Sequence, residues 1–137
     1  MQIQAYLFFD GRCEEALEFY KQALGAKQGR LMRYQDSPEA PPPGMVPPGY
    51  KNKIMYTDFR IGDTQVMACD DCTRKHTAFQ GFNLSLSVAN EAEAKRVFTV
   101  LAAGGSVGMP LAKTFFSPCF GMLRDKFGVG WMVIVPA

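Results

Sequence analysis

The chain repeats one pattern of elements, and this repetition limits its fold more than any other feature. Two apolar stripes with helical spacing, one starting at Ala16 and one at Ala94, lie about 78 positions apart. Gly25 follows the first stripe and Gly104 the second, and glycine commonly ends a helix. Strand-like segments flank each stripe. We therefore predict an α+β fold built from two copies of one module.

Each half is predicted to run strand, helix, then three strands. Asp10 or Gly11 can cap the first helix, and Asn90 with Glu93 gives a capping-box-like start to the second. The apolar segment 6–9 is typical of a buried strand. The predicted strands cover residues 6–9, 27–34, 53–61 and 64–70 in the first half, and 82–88, 106–109, 115–124 and 131–135 in the second.

One face of the second module is predicted to lack a cover. In the strand at 82–88 the apolar residues fall on one face, and Asn83, Ser85 and Ser87 fall on the other. The single helix of each module covers one sheet face only. The polar face must therefore bend into a cleft, meet the other module or meet another chain.

The whole chain, residues 1–137, is predicted to form a single domain with modules at about 1–72 and 81–137. The loop at 37–49 holds six of the nine prolines, so it can neither continue a helix nor pair inside a sheet. We expect this proline-rich loop to act as a lid or as a partner contact.

Charge and cysteine content limit the partners and the location. Fifteen Lys and Arg against thirteen Asp and Glu leave a net charge of +2, which is too weak to indicate a nucleic-acid partner. No apolar run approaches the roughly 18 residues of a membrane span, and no signal peptide is expected. The cysteines are expected to be reduced thiols of a cytoplasmic protein: Cys13, Cys69, Cys72 and Cys119.

Several segments resemble the vicinal oxygen chelate superfamily, which includes glyoxalase I, bleomycin-resistance proteins and extradiol dioxygenases. The opening residues 6–11, followed by residues 16–20 and 24–26, are similar to the start of such chains. Residues 53–56, 60–64 and 114–131 narrow the resemblance to the PhnB-like branch, whose activity is unassigned.

This resemblance implies two βαβββ modules whose curled mixed sheets surround a cleft. It also implies a homodimer, in which related chains sometimes exchange modules. The PhnB-like branch carries labels borrowed from a methyltransferase of ubiquinone synthesis, but this sequence lacks the glycine-rich strand-to-helix turn that would hold an adenosyl cofactor. We expect no cofactor.

Metal-dependent members of the superfamily place one His or Glu on each of four strands. The resemblance implies that the corresponding four positions in this chain are Ala5, Met67 (or Ala68, if the alignment shifts by one residue), Asn83 and Met132. A methyl group, a thioether and a lone carboxamide are poor ligands for a hard or borderline cation. The histidine that PhnB-like relatives often carry is replaced by Tyr56. We therefore expect no metal site of the superfamily type.

Cys69 and Cys72 form a C-x-x-C, with His76, the only histidine, shortly after it. As a zinc site this group lacks a fourth ligand, and as a redox pair it has two carboxylates between the thiols. We favour a turn at a strand end that leads into an exposed loop.

The Gly62-Asp63 turn predicts a hairpin that pairs Asp58 with Met67 and Tyr56 with Cys69. Asp58 and Tyr56 are the candidate catalytic pair, because they could move a proton together; alternatively they are a surface pair at a sheet edge. The predicted cleft lining is Tyr56, Asp58, Met67, Cys69, Asn83, Ser85, Ser87, Phe116 and Met132.

Three functions stay open on these observations. The first is metal-independent binding of a small, partly aromatic molecule in the cleft, by analogy with bleomycin-resistance proteins that act by sequestration. The second is an enzyme, such as a lyase, an isomerase or a dioxygenase, acting on a small oxygenated substrate. It would use unrecognised metal ligands, or Asp58 and Tyr56 without a metal. The third is a dimeric interaction module without a ligand.

Overall fold

The computed structural model describes residues 1–39, 41–73 and 78–137. The chain divides into two compact units, Met1–Thr77 and Ala78–Ala137, and each unit has its own sheet and its own helix.

In the first unit, helix α1 (Cys13–Leu24) packs on a four-stranded sheet with the order β1-β4-β3-β2. β1 runs parallel to β4, and the other neighbouring strands are antiparallel. A short 3-10 helix follows β2. The strands are β1 (Tyr6–Phe9), β2 (Lys27–Arg33), β3 (Ile54–Ile61) and β4 (Thr64–Asp70).

The second unit repeats this topology around helix α2 (Glu91–Ala102), with the strand order β5-β8-β7-β6 and one parallel pair, β5 with β8. The predicted α+β fold of two βαβββ modules with mixed sheets is therefore confirmed. The strands are β5 (Leu84–Ser87), β6 (Ser106–Ala112), β7 (Phe120–Arg124) and β8 (Gly130–Ile134).

Each helix buries its apolar stripe against one face of its own sheet. In α1 the buried Tyr20 ring stacks on Phe59 of β3, with the ring centroids 6.0 Å apart. In α2 the ring of Phe98 packs directly on Gly121 of β7. A Cβ added to Gly121 would lie 2.7 Å from the Phe98 ring. Burial of a large apolar side chain contributes about 1.5–3 kcal/mol, so these stripes hold each helix on its sheet.

The start of α1 differs from the prediction. The N-cap position is Arg12, which makes no side-chain cap, so the predicted cap by Asp10 or Gly11 is wrong. The buried carboxylate of Asp70, at the end of β4, accepts a hydrogen bond from the Cys13 amide at 2.9 Å. This acceptor comes from a distant segment because β4 lies beside β1, the strand that leads into α1.

Two other predicted helix boundaries are confirmed. Asn90 caps α2, since its side chain accepts a hydrogen bond from the Glu93 amide at 2.9 Å. Gly25 ends α1 in the left-handed conformation, at φ 66°, which glycine adopts without steric cost.

The predicted strand over residues 115–124 is wrong in its first half, because β7 begins at Phe120. The hydroxyl of Thr114 accepts hydrogen bonds from the amides of Phe116 and Ser117, which closes a local turn. Pro118 follows and has no amide hydrogen to donate to a sheet. Phe116 therefore lies in a loop and not in a strand.

Candidate functional site

The second unit leaves one face of its sheet open, and cross-strand pairing shows which residues share it. Trp131 and Val133 of β8 are buried on the side of α2, so Met132 between them points to the opposite face. Met132 lies opposite Met122 on β7 and Ser85 on β5. Two thioethers and a hydroxyl therefore come together on the face that α2 does not cover.

A cavity of about 500 Å³ lies at this open face. Both Asn83 and Met132, two residues of the predicted cleft lining, line this cavity. Its lining is Gly81, Phe82, Asn83, Ser106, Gly108, Met122, Leu123, Arg124 and Met132.

Asn83 contributes a half-buried amide to the cavity. The Asn83 amide packs against Gly130 of β8. Any larger residue at Gly130 would clash with it, because an added Cβ would lie 2.1 Å from Asn83 Oδ1. Among the residues that the structure describes, none makes a hydrogen bond to the Asn83 side chain. The amide can therefore bond a guest in the cavity.

Arg124 ends β7 at the rim of the same cavity. Its Nη1 donates to the carbonyl oxygens of Phe79 and Gly128, the latter at 2.9 Å. These two acceptors fix the position of the guanidinium, although the side chain is exposed to solvent.

Ser85, Ser87 and Phe116 lie on or beside this face but outside the cavity lining. Ser87 pairs with Ile134, two residues beyond the pair that Ser85 makes with Met132. The Phe116 ring packs edge-on against Phe120, with centroids 5.0 Å apart.

The open face of the first unit carries the other predicted site residues. The predicted pairing of Asp58 with Met67 is confirmed, and Tyr56 lies two residues from Asp58 on the same face. Tyr6 pairs with Met67, and its ring stacks on Phe8 with centroids 4.9 Å apart. The prediction of a buried strand at 6–9 is wrong for one of its two faces, because Tyr6 and Phe8 are 38% and 37% exposed.

Tyr56 and Asp58 form a hydrogen-bonded pair. The Tyr56 hydroxyl donates to Asp58 Oδ2 at 3.0 Å, and Asp58 Oδ1 accepts from the Arg30 amide at 3.2 Å. Burial and the bond to Asp58 raise the pKa of Tyr56, so the phenol stays protonated at neutral pH. The pair is in contact, as a proton-transfer role requires, but Tyr56 is a hydrogen-bond donor and not a base.

Cys69 lies on the same open face and is buried. Burial raises the pKa of its thiol from the ordinary value of 9.0 to about 11, so it is not a thiolate at neutral pH. Cys72 follows the end of β4, as the sequence predicts for a strand-end turn, and its thiol contacts the Met45 carbonyl oxygen at 3.5 Å. His76 lies outside the described residues.

The positions that hold a metal in superfamily members do not fit one here. β1 pairs Tyr6, and not Ala5, with Met67, while Ala68 is buried on the face of α1. Thioethers at Met67 and Met132 and an amide at Asn83 do not suit a hard or borderline cation. Within residues 1–39, 41–73 and 78–137, no group of three or more His, Cys, Asp and Glu side chains could hold a metal ion.

The proline-rich loop of the first unit surrounds a separate cavity of about 840 Å³. It is anchored at its end by Tyr50, whose hydroxyl donates to Asp10 at 2.6 Å and whose ring packs edge-on against Tyr34. The role of the loop as a lid or a partner contact stays a prediction.

Sequence reasoning missed Met122 and Arg124. The short segment 125–128 between the predicted strands at 115–124 and 131–135 could have identified both, because a tight turn there fixes the pairing of the two flanking strands. That pairing sets Met122 opposite Met132 and Arg124 opposite Gly130. Tyr6 and Phe8 were missed because an unbroken apolar segment gives no sign of which side chains stay exposed.

Known proteins resemble this chain over nearly its full length. The family model described as 3-demethylubiquinone-9 3-methyltransferase matches residues 1–134. Protein YjdN of Escherichia coli (strain K12) is 35% identical over 142 residues, covering 98% of this chain and 95% of that protein.

In the part of the chain that the structure describes, no helix is long and apolar enough to cross a membrane.

Several solved structures are also similar to this chain. Protein PA1353 from Pseudomonas aeruginosa is 41% identical, with a TM-score of 0.87 over 99% of this chain and 98% of that one. The PhnB protein from Bacillus cereus is 27% identical, with a TM-score of 0.81 over 98% and 99%. A glyoxylase/bleomycin resistance protein/dioxygenase domain from Frankia sp. EAN1pec shares the fold alone, at 13% identity, a TM-score of 0.72, and 100% and 98% coverage. The chain therefore belongs to the PhnB-like 3-demethylubiquinone-9 3-methyltransferase family, within the vicinal oxygen chelate fold.

Proposed function

We propose that this protein binds a small organic molecule without a metal, in the cavity at the open face of the second unit. One observation carries the proposal: a cavity of about 500 Å³ combines two thioethers and an aromatic ring with an amide that has no partner in the described chain. This volume and this mixture of groups are typical of small-molecule sites.

The lining favours a guest with an apolar, partly aromatic body. Met122 and Met132 are flexible and polarisable, and thioethers make favourable contacts with aromatic rings. Phe82 is 50% exposed at the same cavity, so its ring is free to stack on a guest. The amide of Asn83 adds one directional hydrogen bond, which orients the guest.

The proposal is tested by occluding the cavity. A leucine at Gly108 would fill part of it, and the backbone there tolerates a side chain, because φ is not positive and a Cβ would lie 3.7 Å from the Met122 carbonyl oxygen. The matched control is Val107→Leu, on the neighbouring residue of β6 that does not line the cavity.

The assay has two parts. Native mass spectrometry of protein purified without nickel or chelator looks for a co-purified small molecule, and a thermal-shift screen of aromatic compounds identifies binders. We expect Gly108→Leu to abolish binding and Val107→Leu to retain it. A native protein that binds no compound, or equal binding by both variants, would contradict the proposal.

A metal-free enzyme is the second candidate, and the contact between Tyr56 and Asp58 favours it. Because the phenol stays protonated, Tyr56 would act as a proton donor to a substrate oxygen. Loss of turnover in Tyr56→Phe with unchanged ligand affinity would support this candidate, whereas metal-dependent turnover would exclude it.

We also infer a homodimer in the cytoplasm. β2 and β6 each form one of the two edges of their sheets, and most of their side chains are exposed, so each offers an edge to a second chain. All four cysteines are free thiols, which fits a reducing compartment. Light scattering after size-exclusion chromatography tests the dimer, and a monomeric mass at micromolar concentration would contradict it.

A further inference from the structure

We propose that the guest is an organic anion whose carboxylate or phosphonate group is bound by Arg124. This inference rests on the proposed binding function and adds the chemical class of the ligand.

The guanidinium of Arg124 is held in place, and most of its donors bond nothing within the described residues. Arginine has five N–H groups, and the two on Nη1 bond the carbonyl oxygens of Phe79 and Gly128. The donors on Nη2 and Nε have no acceptor among the described residues. Such a pair of adjacent donors matches the two oxygens of a carboxylate or a phosphonate.

The described part of the chain provides no carboxylate that neutralises this cation. Within the described residues, no Asp or Glu forms an ion pair with Arg124, and the cavity lining contains no acidic residue. The adjacent Asp125 is only 3% exposed, and its oxygens bond the Phe127 and Val129 amides and the Trp131 indole. A fixed cation beside an apolar cavity attracts an anion more strongly than a cation paired on the open surface does.

Two more lining residues complete the polar end of the cavity. Ser106 of β6 pairs with Arg124 across the sheet, and both residues line the cavity. Asn83 has an amide with no partner in the described chain. Together with the thioethers of Met122 and Met132, these groups fit a ligand with an anionic head and an apolar, aromatic body.

The test uses four probes on the full chain, with affinities measured by calorimetry. Phenylacetate and phenylphosphonate carry the anion on an aromatic body, phenylacetamide is the neutral match, and inorganic phosphate is the anion without the body. Arg124→Gln removes the cation. Arg60→Gln is the matched control, because Arg60 is also exposed and also donates to a backbone carbonyl oxygen, that of Asp63 at 3.2 Å.

We expect the native protein to bind phenylacetate or phenylphosphonate at least about 10-fold more tightly than phenylacetamide, since hydrogen bonds to charged groups are the stronger ones. Arg124→Gln removes this preference, Arg124→Lys restores part of it, and Arg60→Gln leaves it unchanged. Should Arg124→Gln fail to fold, the comparison of charged and neutral probes on the native protein still decides the question.

Other outcomes overturn the inference and separate it from the proposed function. Equal affinity for phenylacetate and phenylacetamide, or a preference that survives Arg124→Gln, leaves small-molecule binding intact but removes the anion site. If inorganic phosphate binds as tightly as the organic anions, the aromatic body adds nothing to affinity, and the inference of an organic ligand is wrong. If none of the four probes binds, this inference fails, and the occlusion test at Gly108 then decides whether the proposed function also fails.

Discussion

The carboxylate of Asp125 holds the turn between β7 and β8, because this one side chain satisfies three buried donors. Oδ1 accepts from the amides of Phe127 at 2.9 Å and Val129 at 3.0 Å, and Oδ2 accepts from Trp131 Nε1 at 2.9 Å. The same turn presents the Gly128 carbonyl oxygen that holds Arg124. Loss of the Asp125 carboxylate would therefore affect both the stability of the second unit and the proposed anion site.

The size of the effect follows from the number of donors left without an acceptor. Asp125→Ala removes all three bonds at a site that is 3% exposed, and each unsatisfied buried donor costs about 1–3 kcal/mol. Water that enters the space left by the carboxylate recovers part of this cost. We expect a loss of about 3–5 kcal/mol in the free energy of unfolding. Asp125→Asn keeps one acceptor oxygen, so its loss should be smaller, about 2 kcal/mol.

Urea denaturation followed by far-UV circular dichroism measures the loss. Fluorescence follows Trp131, the only tryptophan of the chain, at the site itself. The matched control is Asp63→Ala, at an exposed position in the turn between β3 and β4, where we expect a change within about 0.5 kcal/mol. A loss below about 1 kcal/mol in Asp125→Ala would refute the assignment of this carboxylate as the acceptor that holds the turn.

Three further predictions follow from burial and ligand chemistry. Phe98→Ala should cost about 3–5 kcal/mol in a denaturation experiment, because the ring is 8% exposed against the sheet; a change under about 1 kcal/mol would contradict this packing. Asn83→His should not bind zinc tightly by calorimetry, since the neighbouring Met132 provides only a thioether, and submicromolar affinity would contradict the site chemistry. The Cys69 thiol ionises at 9.0 in the unfolded chain, whereas burial raises its folded pKa to about 11, so stability is lost as pH rises between these values. Cys69→Ala should lose less stability than the native protein over that range, and an identical pH dependence would contradict the assignment.

Local patterns in the sequence predicted the elements that are determined locally. The helical spacing of apolar residues identified α1 and α2, and the two-residue turn after β3 fixed the register that pairs Asp58 with Met67. The cap of α1 could not be predicted in this way, because its acceptor, Asp70, is 57 positions from the Cys13 amide. The fixed position of Arg124 could not be predicted for a similar reason, because one of its two carbonyl acceptors belongs to Phe79, 45 positions away.

The two units share one topology, and the hydrogen bonds on their open faces are the reason why we propose the ligand site in the second unit. On the open face of the first unit the polar groups pair with their own unit, since both oxygens of Asp58 accept bonds, one of them from Tyr56. On the open face of the second unit, the amide of Asn83 and two nitrogens of Arg124 have no partner in the described chain. A guest that bonds the first face must break existing bonds, whereas a guest at the second face satisfies groups that otherwise bond only water. Under the proposal, binding energy is therefore available at the second face.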